Sequence, residues 1–279
     1  MSLKSLLVYL PNKDLAARLT EIAGNLALKS DGHLIGFHAM PAIQVYGAMT
    51  AEIPIEVIER QERVFRHESE QIAIEFEKIR NALGIQAEFR SEEFGNGDSA
   101  KSVAAQARCS DLIVVDQGAE SNYIDGHGLP ARLVLESGRP VLIIPSYGEY
   151  KEIGKHVLIA WNDSRESARA CFDALPILRN AEKVTILTIN QVSDAEQQSF
   201  SPADDLALCL SRHNLNIETH NIASTPLSVS NEILSRAADF GSDLLVMGCY
   251  GHSRFHETVF GGVTREILNS LSLPVLMSH

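Results

Sequence analysis

The sequence predicts an α/β protein built as two tandem five-stranded, Rossmann-like parallel-sheet sandwiches, each with helices on both faces. Three observations predict it. The chain is written twice, with strand motifs shared between its halves. Short Val/Ile/Leu-rich runs, apolar on both faces, alternate with helical patterns, as in parallel sheets covered on both sides. A glycine-flanked loop follows the fourth strand of the second half and leads into a helix.

The repeat is explicit. SDLIVV at 110–115 matches SDLLVM at 242–247, and RPVLIIPS at 139–146 matches LPVLMSH at 273–279. SLLVYLPN at 5–12 resembles HVLIAWND at 156–163. The helices before the SDL strands also agree, Val103 to Ala107 against Ser235 to Asp239. The units are therefore about 1–148 and 152–279. The joint SYGEYKEIG at 146–154 is polar and glycine-bearing, as a linker should be.

In the second unit the strands read HVLIAW, KVTILTIN, NIETHNIA, DLLVMG and PVLMS. Helices are expected over about 164–179, 203–213, 228–240 and 262–271. In the first unit the second helix is longer, over 53–83, with apolar residues at helical spacing and a charged, solvated opposite face. The last strands, VLIIPS and VLMSH, are expected to pair, making an intrachain pseudo-dimer, because a single edge strand invites pairing. A further homodimer of chains stays open.

Bulk composition narrows the function classes. The chain has 279 residues, 45% hydrophobic and 22% charged, with net charge −12. That balance suits a soluble globular protein and argues against a nonspecific grip on nucleic acid or an anionic membrane. Cysteines 109, 171, 209 and 249 form no CxxC pair, which suits a reducing cytoplasm. MSLKSLLVYLPNKD lacks the apolar core of a signal peptide. No run reaches the ~18 apolar residues of a membrane span.

The loop GCYGHSRFHETVFGG at 248–262 carries the functional signal. In such sheets ligands sit beyond the C-terminal strand ends. Gly248 ends strand four, Gly251 turns the chain, and Gly261 and Gly262 open the last helix. A helix start offers free N–H groups and the positive end of the helix dipole, which favour phosphate. The backbone of 261–264 can hold a phosphate chain, including Val263 and with the Thr264 hydroxyl in reserve. A glycine-rich turn needed only for tight geometry is the alternative. The loop matches neither GxxxxGK[ST] nor a GxGxxG after the first strand.

The tandem repeat, this loop and the ending LPVLMSH resemble the universal stress protein family in its two-domain bacterial form, over essentially the whole chain. The resemblance implies an adenine nucleotide alpha hydrolase-like fold and a stress-response role. Nucleotide-binding members carry Gly, two residues, Gly, nine residues, Gly, then Ser or Thr. Gly248, Gly251 and Gly261 stand at that spacing, and Gly262 replaces the hydroxyl residue. The family's acidic residue at the end of strand one aligns with Asn162, with Asp163 beside it, in the stretch Ala160-Trp161-Asn162-Asp163. The backbone near Ile189 corresponds to its adenine contact. The resemblance thus implies an ATP-type site in the second unit, with Mg²⁺ as a possible companion of the nucleotide.

The first unit departs further. Asp116 replaces the first glycine and Ala119 the second, and Pro11-Asn12 stands where the acidic residue belongs. Its loop is two residues shorter, since the strand-four offset between halves is 132 and the strand-five offset 134. Asp116 at a pocket mouth would repel polyphosphate, so no ATP is expected there. IDGHGLP and the apolar segment 40–54 could bind something else or pack against neighbours.

Other residues bear on the reading. His252 and His256, four apart with Glu257 nearby, lack a full ligand set, and no metal site is expected. Arg254 or His252 could give positive charge over phosphates. Cys249 fits a tight turn, with a redox role as the alternative; Ser164 fits an N-cap; Trp161 fills the core or stacks on a base. No Ser/His/Asp arrangement accompanies a G-x-S-x-G elbow, so no catalytic residue is expected. Slow ATP hydrolysis would need a base among Asp163, His252 and Glu257. The expected function is a nucleotide-binding sensor or regulator with an unidentified protein partner. Alternatives are that slow ATPase, or an interaction or small-molecule and lipid-binding module.

Overall fold

A computed structural model describes residues 2–41, 54–94, 98–119, 128–189, 202–222, 226–250 and 262–279. The chain divides into two compact units, Leu3–Arg139 and Pro140–His279.

The first unit runs β1 Ser5–Tyr9, α1 Lys13–Ser30, β2 His33–Pro41, α2 Ile55–Leu83, β3 Ala87–Phe94, α3 Ser99–Ala107, β4 Leu112–Asp116 and α4 Leu129–Glu136. Its strands lie in the order β3-β2-β1-β4, all parallel. Leu6, Leu7, Val8, Ile113 and Val114 are fully buried, so the runs that read as apolar on both faces are covered on both. Asn12 caps α1 by accepting a 3.1 Å hydrogen bond from the Leu15 N–H. Asp98 caps α3 from the Lys101 N–H at 3.4 Å. Along α2 only Ser69, Ile72 and Phe76 are buried, and the charged face is solvated.

The second unit runs β5 Val141–Ile144, β6 His156–Ala160, α5 Arg165–Asp173, α6 Leu175–Leu178, β7 Lys183–Ile189, α7 Pro202–Ser211, β8 Ile217–Ile222, α8 Val229–Asp239, β9 Leu244–Gly248, α9 Gly262–Asn269 and β10 Val275–Ser278. The strand order is β5-β10-β9-β6-β7-β8. All neighbours are parallel except β5 and β10, which are antiparallel with Leu276 opposite Leu142. The two last strands of the repeat therefore pair, and β5, which the repeat assigns to the first half, adds a sixth strand here. All four β5 residues are fully buried, so an unpaired β5 would leave an apolar edge open.

The single helix expected over 164–179 is two. α5 stops at Asp173 and α6 starts at Leu175, because Pro176 supplies no N–H to continue the ladder of α5. Among the described residues no helix is long and apolar enough to cross a membrane.

Candidate functional site

The site is built where β6, β7 and β9 end. Ala160 pairs with Leu187 on one side and Met247 on the other. Trp161–Asp163, Ile189 and Gly248 therefore leave the sheet along one edge. The chain goes from β6 outward to β7 and from β9 inward to β10, so the β6–β9 gap is a switch point of the kind that opens a ligand crevice. β10 runs parallel beside β9, so α9 must start at this same edge to return the chain.

Local chemistry shapes the turn after β6. The Trp161 N–H donates to the Leu187 carbonyl at 2.9 Å, extending the ladder by one residue. Its side chain is buried, and its Nε1 has no hydrogen-bond partner among the described residues. Ala160 and Ile189 are half-buried. Asn162 is exposed, and its Oδ1 accepts from the Ser164 N–H at 3.2 Å, which leaves its NH₂ as a donor. Asp163 is exposed and takes the left-handed conformation, φ 58°. Ser164 caps α5 in a capping box with Ser167, as the sequence suggested.

The glycines play two different parts. A Cβ on Gly248 would lie 2.4 Å from both the Glu166 carbonyl carbon and the Ser167 nitrogen. The bare Cα of Gly248, which the sequence placed at the end of strand four, lets the first turn of α5 pack on β9. Gly262 is the reverse case. It is exposed, starts α9, and a Cβ there would meet nothing within 4 Å. Val263 is half-buried. Thr264 is only 4% exposed, so it is packed into the fold. Gly251, His252, Arg254 and Gly261 lie outside the described residues, as do His256 and Glu257.

Against Gly248 lies Glu166. It sits in the first turn of α5 at 6% exposure. Burial pushes its pKa up, but its own backbone N–H and the Arg165 guanidinium, 2.8 Å away, hold it below the usual carboxylate value. Cys249 is buried, with its N–H donating to the Ser278 carbonyl at 3.1 Å. Burial, then the Glu166 charge, pushes its thiol pKa upward. That is the profile of a packed, inert cysteine filling a tight turn. Burial also pushes the Tyr250 phenol up to about 12.

The first unit corrects one expectation. Asp116 does not stand at a mouth. It is 2% exposed, its Oδ2 lies 3.4 Å from Arg18 Nη1, and its Oδ1 accepts from the Gly118 N–H at 2.8 Å. The Arg18 guanidinium offsets its charge, so it repels a ligand less than an unpaired carboxylate would. Among the described residues no group of three or more His, Cys, Asp or Glu could hold a metal ion.

Residues 154–279 match the model of the universal stress protein family. A universal stress protein of Synechocystis sp. is 24% identical over 171 residues, a match spanning 59% of this chain and only 56% of that protein. A universal stress protein from Archaeoglobus fulgidus has the same fold, with TM-score 0.69 and 15% identity, over 98% of this chain and 95% of that one. A functionally unknown protein from Pseudomonas aeruginosa gives 0.59 at 12% identity, over 99% and 92%. The match, the fold and the written-twice sequence converge: residues 154–279 are a universal stress protein domain, and the chain looks like the tandem two-domain form of that family.

Proposed function

We propose that this chain is a cytoplasmic stress-response regulator that takes an ATP-type nucleotide at the strand ends of its second unit, 152–279. The observation that carries the reading is the open N-terminus of α9 at Gly262, on the same sheet edge as Asn162 and Trp161. Backbone N–H groups at that terminus suit phosphate oxygens. The Asn162 NH₂ is a donor at the same edge, suited to ribose or base acceptors. The spacing of Gly248, Gly251 and Gly261 adds the resemblance to nucleotide-binding members of the family.

Mg²⁺ would arrive on the phosphate oxygens, since the described residues supply no metal cluster of their own. The role is sensing rather than turnover. A ligand that binds the folded state stabilises it, by about 2.7 kcal/mol at a hundredfold excess over Kd, and shifts the population of surfaces offered to a protein partner. All four cysteines are free thiols, which agrees with a reducing compartment.

The test uses the single tryptophan as a reporter beside the site. Purified protein is first denatured and its extract chromatographed for carried nucleotide. ATP with Mg²⁺ is then titrated while Trp161 emission is followed. The proposal expects a saturable change in emission. No carried nucleotide together with unchanged emission and unchanged thermal stability would reject it.

A further inference from the structure

The first unit holds a cavity of about 310 Å³ at the C-terminal ends of its own strands. That is the low end of the roughly 300–1,000 Å³ typical of small-ligand pockets. Among the described residues its wall includes Tyr9, His38, Phe65, Glu68, Phe94 and Ser99. These come from β1, β2, α2, the end of β3 and the start of α3.

Three features define what the cavity can hold. Ser99 is 3% exposed, and its hydroxyl is buried without a hydrogen-bond partner among the described residues although the residue lines the cavity. Such an orphan is costly unless something binds it. His38 is 3% exposed, and its Nδ1 lies 2.7 Å from the Leu10 carbonyl. A carbonyl only accepts, so Nδ1 carries the proton and Nε2 keeps a lone pair. Burial lowers the His38 pKa, which keeps the ring neutral near pH 7.

Charge then excludes anions. Glu68 is the carboxylate of the described wall, and no lysine or arginine lines it. The α3 N-terminus, an ordinary anion site, is already taken by the Asp98 carboxylate. Asp98 is itself held by Arg132 at 2.6 Å. The remaining wall is rich in aromatic and aliphatic carbon. The cavity therefore offers acceptors, hydroxyls and apolar surface, and its described wall carries no cation to balance a negative charge.

We propose that this cavity binds a small, partly apolar amine, its ammonium donating to Glu68 and to His38 Nε2, its apolar part against Phe65 and Phe94, with Ser99 completing the polar contacts. This ligand class differs from the polyphosphate proposed for the second unit, and the two readings stand or fall separately.

The experiment titrates the full chain by calorimetry with three probes of one ring system: tryptamine, tryptophol and indole-3-acetate. Tryptamine should bind at one site per chain, and indole-3-acetate at least about tenfold more weakly, since it puts a carboxylate beside Glu68. Glu68→Gln should weaken tryptamine about tenfold, the loss of one charge-assisted hydrogen bond. Ser99→Leu should fill the cavity and abolish binding. Should that variant fold poorly, Glu68→Gln on the half-exposed face of α2 still decides. Equal affinity for the amine and the acid, tryptamine binding untouched by Glu68→Gln, displacement of tryptamine by ATP, or no binding at millimolar tryptamine would each overturn the assignment.

Discussion

Replacing Gly248 by alanine tests the packing that shapes the site. The added Cβ would lie 2.4 Å from the Glu166 carbonyl carbon, 2.4 Å from the Ser167 nitrogen and 2.7 Å from the Glu166 oxygen. Ordinary contact is about 3.5 Å or more, so two backbone atoms stand about 1 Å too close. No rotamer change relieves a backbone clash, so the start of α5 must move. Moving it strains the capping box, in which Ser164 Oγ accepts from the Ser167 N–H at 3.1 Å. Overpacking costs about 1–3 kcal/mol and a damaged cap about 1 more, so Gly248→Ala should destabilise the second unit by about 2–4 kcal/mol. The assay is urea unfolding followed by emission of Trp161, the single tryptophan of the chain, which sits in the turn before α5. Gly262→Ala is the control. Its Cβ meets nothing and its φ is not in the left-handed region, so it should be neutral or stabilising by up to about 1 kcal/mol. If Gly248→Ala unfolds within about 0.5 kcal/mol of the parent, the close packing of β9 on α5 is refuted.

Three further outcomes are expected. Gly262→Ser places a hydroxyl in the open space at the start of α9 and should tighten ATP about three- to tenfold, one added neutral hydrogen bond, measured by titration; weaker binding would mean the space is needed bare. Burial lowers the His38 pKa, so between the unfolded value near 6.5 and the lower folded value the unfolded chain binds more protons; unfolding curves should show the first unit losing stability as pH falls below about 6.5, and His38→Gln should flatten that slope. Cys171 and Cys249 are buried with raised thiol pKa values, so native alkylation followed by mass spectrometry should label exposed Cys109 first and spare these two until unfolding; early labelling of Cys249 would contradict its packing.

Much of the fold was legible because parallel strands are buried on both faces and so write continuous apolar runs, such as LLVM before Gly248. The Ser164 cap was legible for the same local reason, a hydroxyl three residues before its partner N–H. Contacts that link distant segments were not. Nothing near Asp116 in sequence points to Arg18, 98 residues away, which turns an apparent mouth charge into a buried ion pair. Periodicity identified β5 as a strand but could not say which compact unit would take it, since that depends on its pairing with β10. Gly248 was singled out for its place in a motif, while the reason for it is α5 lying against it. Tyr9, His38, Phe94 and Ser99 line one cavity from four separate elements, and no spacing rule joins them.

The proposed function requires a nucleotide site in the second unit and none in the first. Isothermal titration of the full chain with ATP and Mg²⁺, after stripping any carried nucleotide, tests it most directly. One site per chain is expected, weakened by Gly261→Val and unaffected by Glu68→Gln. Two sites per chain, or a single site lost in Ser99→Leu but intact in Gly261→Val, would contradict it.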